Sequence, residues 1–256
     1  MNLISIHSVP RSGSSWLLSI FNSHPNIKAL YEPLFSYAFK NRINENSTKE
    51  EFDNFIDELI KTDDDFCCMK SNFHSKSNII NYDKSKNKLE YLCLKHTNHH
   101  YNITTFIKHN KDVKIICLIR NPYSVIYSQM NAEKELLKDW LNGSDKNLGL
   151  REIFFGFNKW KELNAIFYNL KKEFPENIII INYEELVNNT ELTIKIIFDF
   201  CNIDFQPEVE EFIKLSKSMN SDYDYSIFKN EDTINKYKDK LSNKIIEHIK
   251  NEGVWF

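Results

Sequence analysis

Apolar residues along the chain fall into short runs, separated by longer stretches in which they recur every three or four positions. The runs Leu3–Val9, Phe66–Met69, Leu89–Leu94, Val113–Ile119 and Ile178–Ile181 predict strands. Helical spacing covers 15–23, 50–61, 101–110, 123–138, 151–173 and 184–201, and two further amphipathic patterns occupy 207–217 and 233–250. Strands that alternate with helices build a parallel sheet, because each parallel crossover returns across the sheet as a helix. The runs "VKIICLI" and "NIIII" are apolar at nearly every position, as strands buried on both faces are. The expected fold is therefore α/β, a central parallel β-sheet flanked by helices. Such sheets bind ligands at the carboxyl ends of their strands, so the residues just after each run are where chemistry is expected. Two polar stretches without periodicity, 71–88 and 139–149, read as surface loops, the second as a candidate lid.

Length and composition narrow this picture. A chain of 256 residues, 41% hydrophobic and with only 5 Gly and 6 Pro, fits one domain over 1–256 without disordered linkers. A net charge of -3 gives no overall attraction to nucleic acid, so an anionic ligand must be held by local positive charge. Cys67, Cys68, Cys93, Cys117 and Cys201 are odd in number and lack CxxC spacing, which reads as reduced core residues. The N-terminus has no basic segment before its short apolar run, and no stretch of ~18 apolar residues follows. A cytoplasmic protein without signal peptide or membrane span is expected.

The densest chemistry lies in "HSVPRSGSSWL", residues 7–17. After the first strand the chain turns through Pro10, Arg11, Ser12 and Gly13 and enters a helix near Ser14 or Ser15, both good capping residues. The first amides of that helix and the positive end of its dipole form an anion site, and Gly13 lets the backbone approach closely. Ser12, Ser14 and Ser15 add hydroxyl donors, and Arg11 offers a planar fork to phosphate or sulfate oxygens. The nucleotide-hydrolase signature G-x-x-x-x-G-K-[ST] is absent: Ser14 follows Gly13, and no glycine precedes it at the required distance. On this stretch alone an anion cradle and an ordinary capped turn stand level.

The run "VKIICLIRNPYSVIYS" repeats the logic. A buried strand ends at Ile119, Arg120 emerges at its carboxyl end, and Pro122 opens a helix that carries Ser128 about two turns in. That pair is suited to clamping a second phosphate, although a capping arginine and a surface serine explain it equally well.

Together these stretches resemble the paired cofactor motifs of sulfotransferases that use 3′-phosphoadenosine 5′-phosphosulfate (PAPS). "PRSGSSWL" is similar to the family's 5′-phosphosulfate loop, "RNPYSVIYS" to its 3′-phosphate motif, and "IIIINYEELVNN" to the strand and helix after its long central helix. The likeness runs from about residue 3 to residue 203. Arg11 in place of a first-loop lysine, "SHPNIKALYEPL" and "LCLKHT" look closer to the protein-tyrosine and carbohydrate branches than to the phenol and steroid branch. The resemblance implies a three-layer, P-loop-like fold. It also implies a donor site of Arg11, Ser12, Gly13, Ser14, Ser15, Trp16, Arg120, Ser128 and Tyr183, with Trp160 either near the nucleotide or a core aromatic. It further makes Glu32 the general base and Lys95 a positive group near the transferred sulfuryl, with His96 the alternative base. The structural readings of Glu32 and Lys95, a solvated loop carboxylate and a strand-end lysine, remain open at this point.

The implied reaction is in-line sulfuryl transfer from PAPS to a hydroxyl acceptor, leaving adenosine 3′,5′-bisphosphate (PAP), with no metal required because arginines, lysine and amides supply the positive charge. His96, His99 and His100 lack the spacing of a metal motif. Two rivals stand: a kinase on a similar sheet, which predicts the missing Walker lysine, and a silent nucleotide-binding protein. The tail departs from the family pattern, and only Ser226 and Lys229 offer contacts there. The acceptor is left open between carbohydrate, peptide tyrosine and small molecule. The loops at 33–48, 71–88 and 133–150 are expected to face it, with Tyr31, Phe35, Tyr37 and Phe39 forming an aromatic entrance.

Overall fold

Five strands, β1 (Asn2–Ser8), β2 (Ile27–Tyr31), β3 (Tyr91–His96), β4 (Lys114–Ile119) and β5 (Ile178–Asn182), form one sheet in the order β2-β3-β1-β4-β5. Every pairing is parallel. The computed structural model describes residues 1–77, 79, 80, 82, 88–132, 156–219, 221, 226–228 and 233–252. The helices within that range are α1 (Ser14–Ser23), α2 (Lys49–Lys61), α3 (Asn72–Lys76), α4 (Asn102–His109), α5 (Pro122–Ala132), α6 (Phe157–Glu173), α7 (Tyr183–Asn188), α8 (Thr190–Phe200), α9 (Pro207–Ser218) and α10 (Asn243–Glu252).

Side-chain alternation on the strands assigns the two outer layers. Ile4 and Ile6 of β1 join Leu17, Phe21 of α1, Ile197 and Phe198 of α8, and Phe212 of α9 in one core. Leu3 of β1 and Leu92 and Leu94 of β3 join the opposite core with Phe52 and Phe55 of α2, Phe106 of α4, Phe167 of α6 and Ile245 of α10. Ser5 and His7 share the Leu3 face by the same alternation, so this layer holds polar groups beneath apolar helices. The result is the parallel sheet covered by helices that the pattern implied, in the three layers that the resemblance implied.

Four local expectations change. Phe66–Met69 is a turn, closed by Cys68 N–H donating to the Asp64 carbonyl and Lys70 N–H to that of Asp65. Its apolar character has another origin: it lies along β2, where Tyr31 N–H donates to the Cys67 carbonyl, and Cys67 is fully buried. The edge strand is instead "IKALY", whose run is interrupted by Lys28. That ammonium donates to the carbonyls of Ile60 and Thr62, both at 2.7 Å, and ties the end of α2 to the strand. The strand expected at Leu89–Leu94 lies at Tyr91–His96, which brings Lys95 and His96 into the sheet. The helix expected over 184–201 breaks at Asn189 into α7 and α8, and residues 233–240 form turns before α10 begins.

The cysteines fit their expected role. All five are free; four are buried and Cys68 is half-buried. Burial pushes the thiols of Cys67 and Cys201 up to about 12, so they stay protonated at neutral pH.

Phe106 is fully buried and its ring meets those of His7, His96 and Phe52. Phe106→Ala is expected to lower unfolding free energy by about 3–5 kcal/mol, read from urea denaturation.

Candidate active site

Parallel pairing brings the carboxyl ends of all five strands to one edge, and each end carries a polar residue. At the end of β1, Arg11 takes φ 74° and Gly13 φ 90°, so the turn uses the left-handed region twice. Arginine rarely adopts that conformation, and such residues gather at functional sites. The helix starts at Ser14 with Gly13 as its N-cap, not with a serine cap as the sequence suggested. Ser14 Oγ accepts from Ser8 Oγ at 2.8 Å, which locks the turn from beneath. Gly13 is forced by space as well as by torsion: a Cβ there would lie 2.3 Å from Cε2 of Tyr183. The Ser12 hydroxyl is buried with no hydrogen-bond partner among the described residues. An orphaned donor inside a turn of helix-start amides fits an anion.

Arg120, at the end of β4, closes the cradle from the side. Its Nη1 donates to the Arg11 carbonyl at 2.9 Å and its Nη2 to the Thr233 carbonyl at 2.6 Å. The guanidinium lies 4.4 Å from the centre of the Tyr183 ring, a cation–π contact. Trp160 braces the same residue from α6: its Nε1 donates to the Arg120 carbonyl at 2.9 Å, and it is buried in the core. Ser128 pairs with Arg11, whose Nε donates to Ser128 Oγ at 3.0 Å, so the two motifs form one connected site where the sequence suggested separate clamps. Trp16 stands edge-on to Tyr183 and donates to Ser216 Oγ of α9 at 3.0 Å. Ser15 lies half-buried in the first turn of α1.

The tail contributes more than its sequence disclosed. Besides the Thr233 carbonyl on Arg120, Thr233 Oγ1 lies 3.1 Å from Tyr183 Oη, Ser124 Oγ donates to the Ile234 carbonyl at 2.7 Å, and Tyr237 stacks on Tyr123. No motif marks Thr233; its only signal is that it opens an amphipathic segment. Ser226 is buried and accepts from Phe228 N–H, and Lys229 and 133–155 lie outside the described residues.

At the ends of β2 and β3 the site changes character. Glu32 takes φ 44° and is buried, with its N–H on the Lys95 carbonyl. Lys95 Nζ donates to its Oε1 at 2.7 Å. Thr97 supplies the rest: its N–H reaches Oε2 at 3.0 Å and Oε1 at 3.1 Å, and its Oγ1 donates to Oε1 at 2.5 Å. Burial would raise the Glu32 pKa, but the Lys95 charge and the donors on the carboxylate outweigh it and hold the group below the ordinary range. Burial likewise opposes charge on Lys95, and Glu32 reverses the balance, so the ammonium persists above its usual pH. Neither residue is the solvated surface group that the structural reading offered. Thr97 was passed over in the sequence because nothing before the fold shows what its hydroxyl faces.

His96 is on the opposite sheet face from Lys95, against His7 and Phe106, and burial drops its pKa to about 3. The ring is therefore neutral at neutral pH. Around Lys95, whose Nζ lies 4.1 Å from the Tyr31 ring centre, Tyr31, Phe66, Phe73 and His74 pack ring to ring. Phe35 and Tyr37 are exposed, whereas Phe39 is buried against Phe55 and belongs to the core, not the entrance. Among the described residues no group of three or more His, Cys, Asp or Glu is placed to hold a metal, and no helix is long and apolar enough to cross a membrane.

A strand, a glycine-capped anion turn and a helix at the centre of a parallel sheet, with arginines at two strand ends, define a phosphate-binding α/β protein. The profile of the sulfotransferase family matches residues 4–207, and the chain belongs to that family. No relative among curated proteins matches. The fold is similar to that of mouse sulfotransferase SULT7A1 complexed with PAP, at 15% identity and TM-score 0.59, covering 98% of this chain and 81% of that one. It is also similar to the sulfotransferase domain of the Synechococcus PCC 7002 olefin synthase, at 15% identity and TM-score 0.54, covering 100% and 96% of the two chains. The sulfotransferase domain from the curacin biosynthetic pathway matches at 19% identity and TM-score 0.54, covering 98% and 96%.

Gly13→Ala is expected to cost about 1–3 kcal/mol from backbone strain, with the Tyr183 clash in addition. In the Gly13→Ala/Tyr183→Ala double variant the loss should be smaller than the sum of the two single losses, because with the ring gone the added Cβ meets no clash; thermal unfolding of the four proteins reads this. Lys95→Met leaves Glu32 buried without its cation and is expected to cost about 3–5 kcal/mol at neutral pH. That penalty shrinks with acid. In the native protein the lowered Glu32 pKa gives stability above the ordinary carboxylate range that is lost as pH falls through the folded value. In Lys95→Met that pKa rises, so the gap between the two proteins should narrow on acidification.

Proposed function

We propose that the chain is a PAPS-dependent sulfotransferase that transfers a sulfuryl group to a hydroxyl acceptor and releases PAP. The observation that carries this reading is the continuity of one strand edge: an anion cradle on β1 and β4 lies beside a buried carboxylate–ammonium pair on β2 and β3. Arg11, Ser12, Gly13 and the first amides of α1 would hold the 5′-phosphosulfate end. Arg120 and Ser128 would hold the 3′-phosphate, and Tyr183 and Trp16 would offer ring surface to the base. The mouse relative's complex with PAP supports the same donor.

Transfer of a sulfuryl group needs in-line alignment and charge stabilisation more than covalent participation by the protein. The acceptor oxygen attacks sulfur, the bond from sulfur to the phosphate oxygen breaks, and the acceptor proton passes to a base. Glu32 suits that role because it is ionised at neutral pH. Its pairing with Lys95 weakens it as a base until the ammonium turns toward sulfuryl oxygens, which couples the arrival of negative charge to a gain in basicity. Arg11, Lys95 and the helix amides then stabilise the leaving phosphate. The fit of the residues present requires no metal. The exposed rings of Phe35 and Tyr37 beside Glu32 support an acceptor that approaches from the β2 side.

Calorimetry should show PAP binding in preference to ATP and ADP, and Arg120→Met should weaken PAP at least tenfold while changing ADP little. Equal affinity for ATP and PAP would overturn the donor assignment. Glu32→Gln is expected to lower turnover about 10²–10⁴-fold with donor affinity preserved; full turnover in that protein would remove the base assignment.

A further inference from the structure

Behind Glu32, on the sheet face opposite Lys95, lies a set of polar side chains that the proposed chemistry does not use. Ser5 and His7 of β1 are fully buried, and His100 is nearly so. Ser5 Oγ lies 2.8 Å from His7 Nε2, His7 Nδ1 lies 3.0 Å from His100 Nδ1, and His100 Nε2 lies 3.1 Å from the Thr97 carbonyl oxygen. Thr97 in turn makes three hydrogen bonds to the Glu32 carboxylate.

The direction of this chain follows from donor and acceptor inventory. A carbonyl oxygen only accepts, so His100 Nε2 carries the hydrogen. A neutral imidazole has one donor and one acceptor nitrogen, so His100 Nδ1 accepts and His7 Nδ1 must donate to it. His7 Nε2 is then an acceptor, which the Ser5 hydroxyl satisfies. Both rings are neutral in this arrangement: a proton added to His100 Nδ1 would face the His7 Nδ1–H across the 3.0 Å contact, whereas the Ser5 hydroxyl, which can also accept, sets no such bar at His7 Nε2. Burial holds them so: it drops the pKa of His100 to about 4 and that of His7 well below the ordinary value. The His96 ring lies tilted against that of His7 but takes no part, since neither of its ring nitrogens has a partner among the described residues.

We propose that His7 and His100 are positioning residues for Glu32, acting through a one-directional hydrogen-bond chain that runs from Ser5 to Thr97 and fixes the Thr97 donors on the carboxylate. Thr97 directly follows β3, in a bend with no strand ladder of its own. The His100 side chain reaches back three residues to its carbonyl and supplies an anchor that the ladder no longer gives. A fixed Thr97 would keep the carboxylate oriented as Lys95 turns toward the sulfuryl group. The catalytic meaning of this role rests on Glu32 being the base.

The test separates the two. In the wild-type protein, nitrogen-15 spectra of histidine rings should show His7 protonated at Nδ1 and His100 at Nε2, with both neutral at pH 7. Carbon-13 titration of the Glu32 carboxyl should then show its proton affinity raised about tenfold in His100→Leu, the effect expected from loosening hydrogen bonds to a charged group. In His100→Gln, whose amide can donate to the Thr97 carbonyl, the titration should return to within about twofold of wild type. The opposite tautomer at either ring overturns the proposal without any variant. An unchanged Glu32 titration in a folded His100→Leu protein, or an equal shift in His100→Gln, overturns it as well. If Glu32→Gln keeps its turnover, the base reading falls while these tautomers and titrations stand.

Discussion

The pairing of β1 between β3 and β4 is the constraint on which everything else rests. Because all four ladders are parallel, five chain segments far apart in sequence end side by side, and every crossover must pass over a face as a helix. The register His7 to His96 and Ser8 to Leu118 sets the depth at which each strand stops. A slip of one residue in β3 would send Lys95 to the face where His96 now packs, and the carboxylate–ammonium pair would not form.

That pair divides the edge electrically. The β1–β4 side presents guanidinium groups, an orphaned hydroxyl and helix-start amides, all suited to negative charge. The β2–β3 side presents a carboxylate whose charge survives burial only because Lys95 and Thr97 face it. On the proposed function, a donor that brings negative charge to one side and an acceptor that loses a proton on the other would meet where the two fields adjoin. Burial of such a pair contributes little net stability by itself, so folding alone does not account for it.

Much of this was legible in the sequence, and the gaps have physical reasons. Apolar runs located β1, β4 and β5; in β4 every position but Lys114 is buried, as in a parallel strand covered on both faces. The edge strand β2 escaped because Lys28 interrupts it to bond the carbonyls ending α2, while the apolar "FCCM" beside it is a buried turn. Gly13, Arg11, Arg120 and Ser128 were found by their place after strand ends. Which of them touch was not, since Arg11 rather than Arg120 bonds Ser128. Thr97, Thr233, His7 and His100 carry no local signal: each matters through a partner distant in sequence that only the folded sheet supplies.

The Thr233 carbonyl on Arg120 has a consequence for the tempo of the protein. Thr233 lies beyond residue 207, where the family match ends, and its neighbour Ile234 is latched to Ser124 of α5. The strap across the nucleotide end is therefore encoded apart from the core that carries the reacting groups. On the proposed function, a spent nucleotide would leave past this strap, whereas bond making would depend on the opposite end of the edge. Substitutions in the tail would then retune exchange while leaving the chemical step as it is, and two properties that are usually entangled in one pocket would become separately adjustable along a single chain.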